Sequence, residues 1–308
     1  VLDPSELYRL EPEQPDTAEL GEPVLLHSFT GFIDAGSAGQ LATEHLLSVL
    51  EHQLLATFDV DQVFDYRARR PPMTFIEDHW EEYDGPRLEL HLVRDDAGGR
   101  FLMLSGVEPD VQWERFIAAV LDLVRRYRVR LSVGFHAIPM AVPHTRPIGV
   151  TSHATRQDLL AGRPLWVGRV QVPGNITGLL ELRSGQAGLD AAGFAVHVPH
   201  YLAQTNYPDA AAVLLQEVSR LTGLALPVEP LLTAGEQMRA AIATQLAEQP
   251  EGAAVVAALE KQYDAFVGAE GRSLLAGSDR PLPTGDELGA ELERFLAEEH
   301  ERRQRGEG

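Results

Sequence analysis

The sequence has no cysteine, a single lysine and no long apolar run, and each shortage removes a class of chemistry. Without cysteine there are no disulfides, no thiolate nucleophile and no sulfur-held zinc or iron-sulfur cluster. The one lysine, Lys261, stands against 25 arginines, so a Schiff base or a phosphate-clamping ammonium has a single, poorly placed candidate. Nowhere do about 18 apolar residues run together, and the start, "VLDPSELYRLEPEQP", carries neither a basic nor an apolar leader segment. The expectation is a cytoplasmic protein with no membrane partner. Basic residues are also scarce. Only 26 oppose 46 acidic ones, and the formal charge of -20 repels phosphate backbones and anionic lipid, so nucleic acid is not an expected partner.

What is present is a chain of 308 residues, 44% hydrophobic, enough for a full core and an appendage. Residues 1–20 are acidic and proline-bearing and read as an extended surface arm that buries nothing. Val24 to Phe29 is a short apolar run that meets Thr30-Gly31 and then a helical stretch, a strand followed by a glycine corner and a helix. Leu54 to Phe64 reads as a second strand. In "RLELHLVRDDAGGRFLMLSG" the alternation of Leu88, Leu90 and Leu92, a glycine turn and a second apolar run predict an antiparallel hairpin. Trp113, Phe116, Ile117, Val120, Leu121 and Val124 then fall on one stripe of an amphipathic helix. "VRLSVGFHAI", "WVGRVQVP" and "GFAVHVP" read as three further strands, and Pro208 opens a helix.

Strands alternating with helices predict a three-layer α/β/α fold, with a mostly parallel sheet interrupted by the antiparallel hairpin. That body is assigned to residues 1–228. From 229 to 308 no strand-like run remains, and the composition predicts a C-terminal helical appendage. Thr233 to Glu236 and Thr284 to Glu287 fit the capping box of a helix start. Val255, Leu259, Tyr263 and Phe266 form one apolar stripe, and Leu288, Leu292, Phe295 and Leu296 another; packing on the chain's own body is the expected fate of both.

In open α/β sheets ligands sit beyond the carboxyl ends of the strands, so the polar residues of those corners are the candidates for a site. Five corners, "SFTGFIDAGSAG", "SGVEPD", "FHAIPMAVPHTRP", "VPGNITG" and "HVPHYLAQTNYPDA", offer Asp34, His136, His144, Arg146, Asn175, His200 and Asn206 as the lining of a shared cleft. Each also has a plainer reading. Asp34 fits a helix cap better than a general base. His144 and Arg146 could face an anion together, or Arg146 could pair with a carboxylate of the fold. "GNITG" reads as a turn with Asn175 in left-handed geometry and Thr177 as a cap. His197 and His200 point to opposite faces of an extended strand, and Pro199 blocks the helix that would join them, so no metal site is expected. No phosphate loop, dinucleotide fingerprint, H-E-x-x-H or G-x-S-x-G elbow occurs, so no cofactor and no catalytic residue is assigned.

Taken in order, "FTGFIDAGSAG", "GFHAIPMAVPHTRP", "VPGNITGLLE", "HVPHYLAQTNYPDAA" and "TGLALP" resemble the proteasome-assembly-chaperone-like family, specifically its actinobacterial branch. The match covers roughly residues 20 to 228, and "LPTGDELGAELERFLAE" is similar to that branch's C-terminal extension. The resemblance implies an α/β fold like that of nucleoside phosphorylases and related hydrolases. It also implies self-association, most simply as a homotrimer, and proteasome core subunits as partners; it carries no catalytic residues. The chain ends "ERRQRGEG", without the hydrophobic-tyrosine tail by which such chaperones dock, so engagement of a proteasome would use another surface, such as the appendage stripes. A small-ligand binder or enzyme working on an anionic metabolite in the corner cleft is the alternative expectation.

Overall fold

The computed structural model describes residues 2–160, 162–163 and 169–276. In chain order the strands are β1 (Tyr8–Leu10), β2 (Val24–Thr30), β3 (His52–Phe58), β4 (Met73–Ile76), β5 (His79–Tyr83), β6 (Leu88–Arg94), β7 (Arg100–Val107), β8 (Leu131–Met140), β9 (Val150–Ala154) and β10 (Ala191–Pro199). The helices are α1 (Thr17–Leu20), α2 (Ala38–Val49), α3 (Trp113–Arg126), α4 (Ile176–Gln186), α5 (Pro208–Thr222), α6 (Glu229–Glu248) and α7 (Pro250–Ala276). Two compact units part between Glu260 and Lys261.

Eight strands form one sheet in the order β1-β3-β6-β7-β2-β8-β10-β9. Its centre is parallel: β7 and β8 flank β2, and β10 lies beside β8. Antiparallel strands close both sides, through β6, β3 and β1 on one flank and β9 on the other. The period of two divides β2 between the sheet's faces. Val24 and Leu26 join α2 and α5 in one core, while Leu25 joins α3 and α4 in the other. That arrangement is the α/β/α layering expected, and the hairpin Leu88–Arg94 with Arg100–Val107 and the α3 stripe stand where the pattern put them.

Several elements differ from the sequence reading. Residues 2–20 are built into the body: Leu7 and Leu20 are buried, and β1 pairs with β3 as the edge strand. Two leucines sufficed where the low apolar content suggested none. The strand read at "WVGRVQVP" is absent from its described part, residues 169–173, and the strand of this region is β9 instead. α6 starts at Glu229 with Pro230 in its first turn, so Thr233 lies one turn inside the helix rather than at a cap. In α7, Leu259 is buried while Val255 and Phe266 stand exposed, so the apolar stripe is not covered along its length. The second capping box and the stripe Leu288 to Leu296 lie outside the described residues.

Candidate functional site

Asp34 follows β2, and its carboxylate closes the corner from within. Oδ1 accepts from the backbone N–H of Gly39 at 2.9 Å and of Ala137 at 3.1 Å, and Oδ2 from Gln40 at 3.0 Å. Two of these donors are first-turn N–H groups of α2 and the third belongs to β8, so one side chain caps a helix and ties it to the neighbouring strand. Burial raises its pKa, and the three backbone bonds oppose that rise.

His144 and His200 meet at Tyr201. The Tyr201 hydroxyl accepts from the His144 backbone N–H at 2.9 Å and lies within hydrogen-bond distance, 2.7 Å, of its Nδ1; burial lowers the His144 pKa, and Glu260 opposes that fall. His200 is exposed, with its ring edge-on to Tyr201 at 5.5 Å. Arg146 pairs with Glu260 of α7 at 3.1 Å, and Thr145 donates to the same carboxylate. Asn175 is extended, at φ -143°, and not left-handed; its side chain accepts from Gly178 at 2.7 Å as the N-cap of α4. Glu108, from the corner after β7, accepts from the Ile176 N–H at 2.7 Å at the same helix start. Asn206 is exposed in the turn before α5.

The sheet stands between these residues. Gly134 on β8 faces Thr177 of α4, and strand alternation puts His136 on that same face, with Asn175 at the start of the helix above it. Tyr201, which gathers His144 and His200, packs on the α2 and α5 core of the opposite face. Asp34 meets β8 through the Ala137 N–H, not through the His136 ring.

Under α4 the structure assembles a group that the corner reading missed. His27 of β2 and Gly134 of β8 are in register, as are Gly193 of β10 and His153 of β9, so two histidine rings lie over two glycines. A Cβ at Gly134 would lie 2.7 Å from His27 Cε1 and 2.5 Å from Thr177 Cγ2, and one at Gly193 would collide with His153. Glycine is what admits the rings. His27 is buried with Nδ1 unpartnered among the described residues, and burial, with smaller contributions from His153 and His136, pushes its pKa down to about 3. Burial and then His153 push His136 down to about 4. His153 Nδ1 lies 2.7 Å from Glu181 of α4. The signal available beforehand was the polar residue interrupting "VLLHSF". Among the described residues no three histidine, aspartate or glutamate side chains are arranged to hold a metal ion.

The PAC2 family model matches residues 28–246, most of the chain. The chain belongs to the PAC2 family. Its likeness to solved structures agrees: a Mycobacterium tuberculosis protein of unknown function is 46% identical, with a TM-score of 0.84 over 89% of this chain and 94% of the other. A Corynebacterium glutamicum protein of unknown function is 38% identical, with a TM-score of 0.80 over 85% and 98%. A second M. tuberculosis protein, described as a proteasome-assembly chaperone homologue, is 26% identical, with a TM-score of 0.70 over 77% and 99%. No curated protein matches. The resemblance drawn from the corner motifs is thus a family relationship, and this PAC2 chain has actinobacterial relatives across its α/β body.

Proposed function

We propose that this PAC2 protein is a non-enzymatic, self-associating interaction protein of the cytoplasm that binds proteasome core subunits during their assembly. One observation carries the reading. At the carboxyl ends of the parallel strands, polar side chains are engaged in bonds within the fold, as at Asp34, Glu108 and Asn175, while Phe32, Ile33, Val111 and Met140 stand exposed beside them. Such a rim suits a protein surface better than a charged metabolite. The relative named for proteasome assembly supports the choice of partner, and a homotrimer is the proposed form. Helices beyond residue 228 would add a second contact surface, with Val255 and Phe266 exposed on α7.

A pull-down with the full chain as bait tests the partner. It should retain unassembled core subunits, and the retention should weaken in Phe32→Ser/Ile33→Ser. Equal passage of assembled and unassembled subunits through the bait column would end the reading.

A further inference from the structure

β2 and β7 are parallel neighbours whose following helices leave to opposite faces of the sheet, α2 into the core of Val24 and Leu26 and α3 into that of Leu25. Such a divergence leaves the carboxyl ends of the two strands uncovered by either connection, and open α/β sheets take their ligands in gaps of this kind. Toward β8 the corner after β2 is closed, because Asp34 bonds across to the Ala137 N–H. Toward β7 a crevice of about 500 Å³ remains, within the ~300–1,000 Å³ of small-molecule sites. Thr30, Gly31, Gly106 and Val107 line it from the strand ends. Both glycines are needed there: φ is 114° at Gly31 and 138° at Gly106, and a Cβ would fall on the Arg69 guanidinium at the first and on the Arg87 carbonyl at the second. More of the lining comes from the root of the two-stranded ribbon β4–β5, which stands outside the main sheet. Pro71 and Pro72 lead into the ribbon and Gly85 and Pro86 lead out, and the Asp84 N–H ties the two sides by donating to the Pro72 carbonyl at 3.2 Å.

Charge indicates the ligand. Arg69 is balanced within the fold, by Asp110 at 2.8 Å and by the Thr30 carbonyl, with its guanidinium over Phe64; its Nε is buried with no acceptor among the described residues. The other charged groups of the lining are exposed: Arg70 and Arg87 of the ribbon root, with Asp84 of that root and Glu44 of α2. Among the described residues none of these four is in an ion pair, and Glu44 accepts only from the neutral amide of Gln40, at 2.8 Å. Opposite charges that line one crevice without meeting leave room for a ligand that carries both. Phosphate or a nucleotide would gain Arg70 and Arg87 but bring its negative charge against Glu44 and Asp84, and a bare ammonium would face the converse. A carboxylate and a cation held a side chain's length apart satisfy both pairs. Arginine supplies that spacing best, because its planar guanidinium takes carboxylates in a fork and its apolar stem can lie along Pro71, Pro72 and Pro86.

We propose that the crevice between the ends of β2 and β7 and the ribbon root binds a carboxylate borne next to a basic side chain, the chemistry of free arginine and of a chain that ends in arginine. The carboxylate sits on Arg70 and Arg87, and the guanidinium on Glu44 and Asp84. Titration calorimetry of the full chain tests this with L-arginine, with N-acetyl-L-arginine as the mimic of a chain end, and with N-acetyl-L-argininamide, which keeps the cation and lacks the carboxylate. At least one of the two acids should give a saturable heat at one site per chain, and the amide should bind at least tenfold more weakly. Phosphate should not compete. Arg70→Gln/Arg87→Gln and Glu44→Gln/Asp84→Asn should each weaken the acid at least tenfold, with the unfolding midpoint unchanged because all four side chains are already in water. Tighter binding of N-acetyl-L-arginine would name a chain end as the ligand and tighter binding of L-arginine the free amino acid, and both results support the site. No saturable heat with either acid, equal affinity for acid and amide, or unaltered affinity in both double variants would overturn it. Binding here needs no proteasome subunit, so that failure would leave the proteasome contact untouched.

Discussion

At neutral pH His27 and His136 are uncharged because burial under α4 pushes their pKa values to about 3 and about 4. Histidine in an unfolded chain titrates near ~6.5, so below that pH the unfolded state takes up protons that the folded state refuses. Stability is therefore complete above ~6.5 and falls as the pH drops toward 4. The groups around these rings, His153 with its Glu181 partner and Thr177, supply no carboxylate directly to His27 that would reverse the sign. Urea unfolding should lose on the order of 2 kcal/mol per group between pH 6.5 and 5, from about 1.4 kcal/mol per pKa unit. His27→Leu should flatten that loss by its own share, and a parallel pH profile for the variant would refute the assignment. Asp34 carries a different risk. Asp34→Ala strands the N–H groups of Gly39, Gln40 and Ala137 at once, which should cost about 2–3 kcal/mol and lower the melting temperature by roughly 5–10 °C. Asp34→Asn, which keeps one accepting oxygen, should lose about half as much in the same calorimetric scan.

Among the elements, those with a single strong period could be read from sequence, and those held by other means could not. The α3 stripe and the alternation of Leu88, Leu90 and Leu92 need only one face each to be buried, and that is where they lie. β9, "VTSHA", is half-buried along its length and so lacks an apolar pattern, whereas "WVGRVQVP" has the alternation but in its described part no neighbouring strand. The ribbon β4–β5 escaped notice because its apolar residues cover no core of their own chain. Candidate residues followed the same logic. The capping character of Asp34 was legible from its place before a helix, but the histidines under α4 depend on register across four strands, which a linear sequence does not display. The edge strand gives a prediction at this scale. Leu7→Ala should cost about 2–5 kcal/mol by emptying a buried site, and removal of residues 1–10 should expose the β3 edge and shift the protein toward aggregates in light scattering. A truncated chain that stays dispersed and equally stable would show that β1 is an ornament.

For the molecule as a whole, the acidic surface and the bonded corner residues Asp34, Glu108 and Asn175 support the proposal that the α/β/α body is a scaffold that presents apolar contact surfaces. A thermal-shift series with phosphate, nucleosides and nucleotides should leave the melting temperature unmoved; stabilisation that vanished in both Arg146→Ala and His144→Ala would support a ligand site instead. The most direct test weighs the contact itself, by static light scattering of the full chain mixed with unassembled proteasome core subunits in increasing proportion. The account predicts a saturating rise to a complex heavier than either component, reduced when Phe32 and Ile33 are replaced by serine. Masses that add as those of two non-interacting species at every ratio would contradict it.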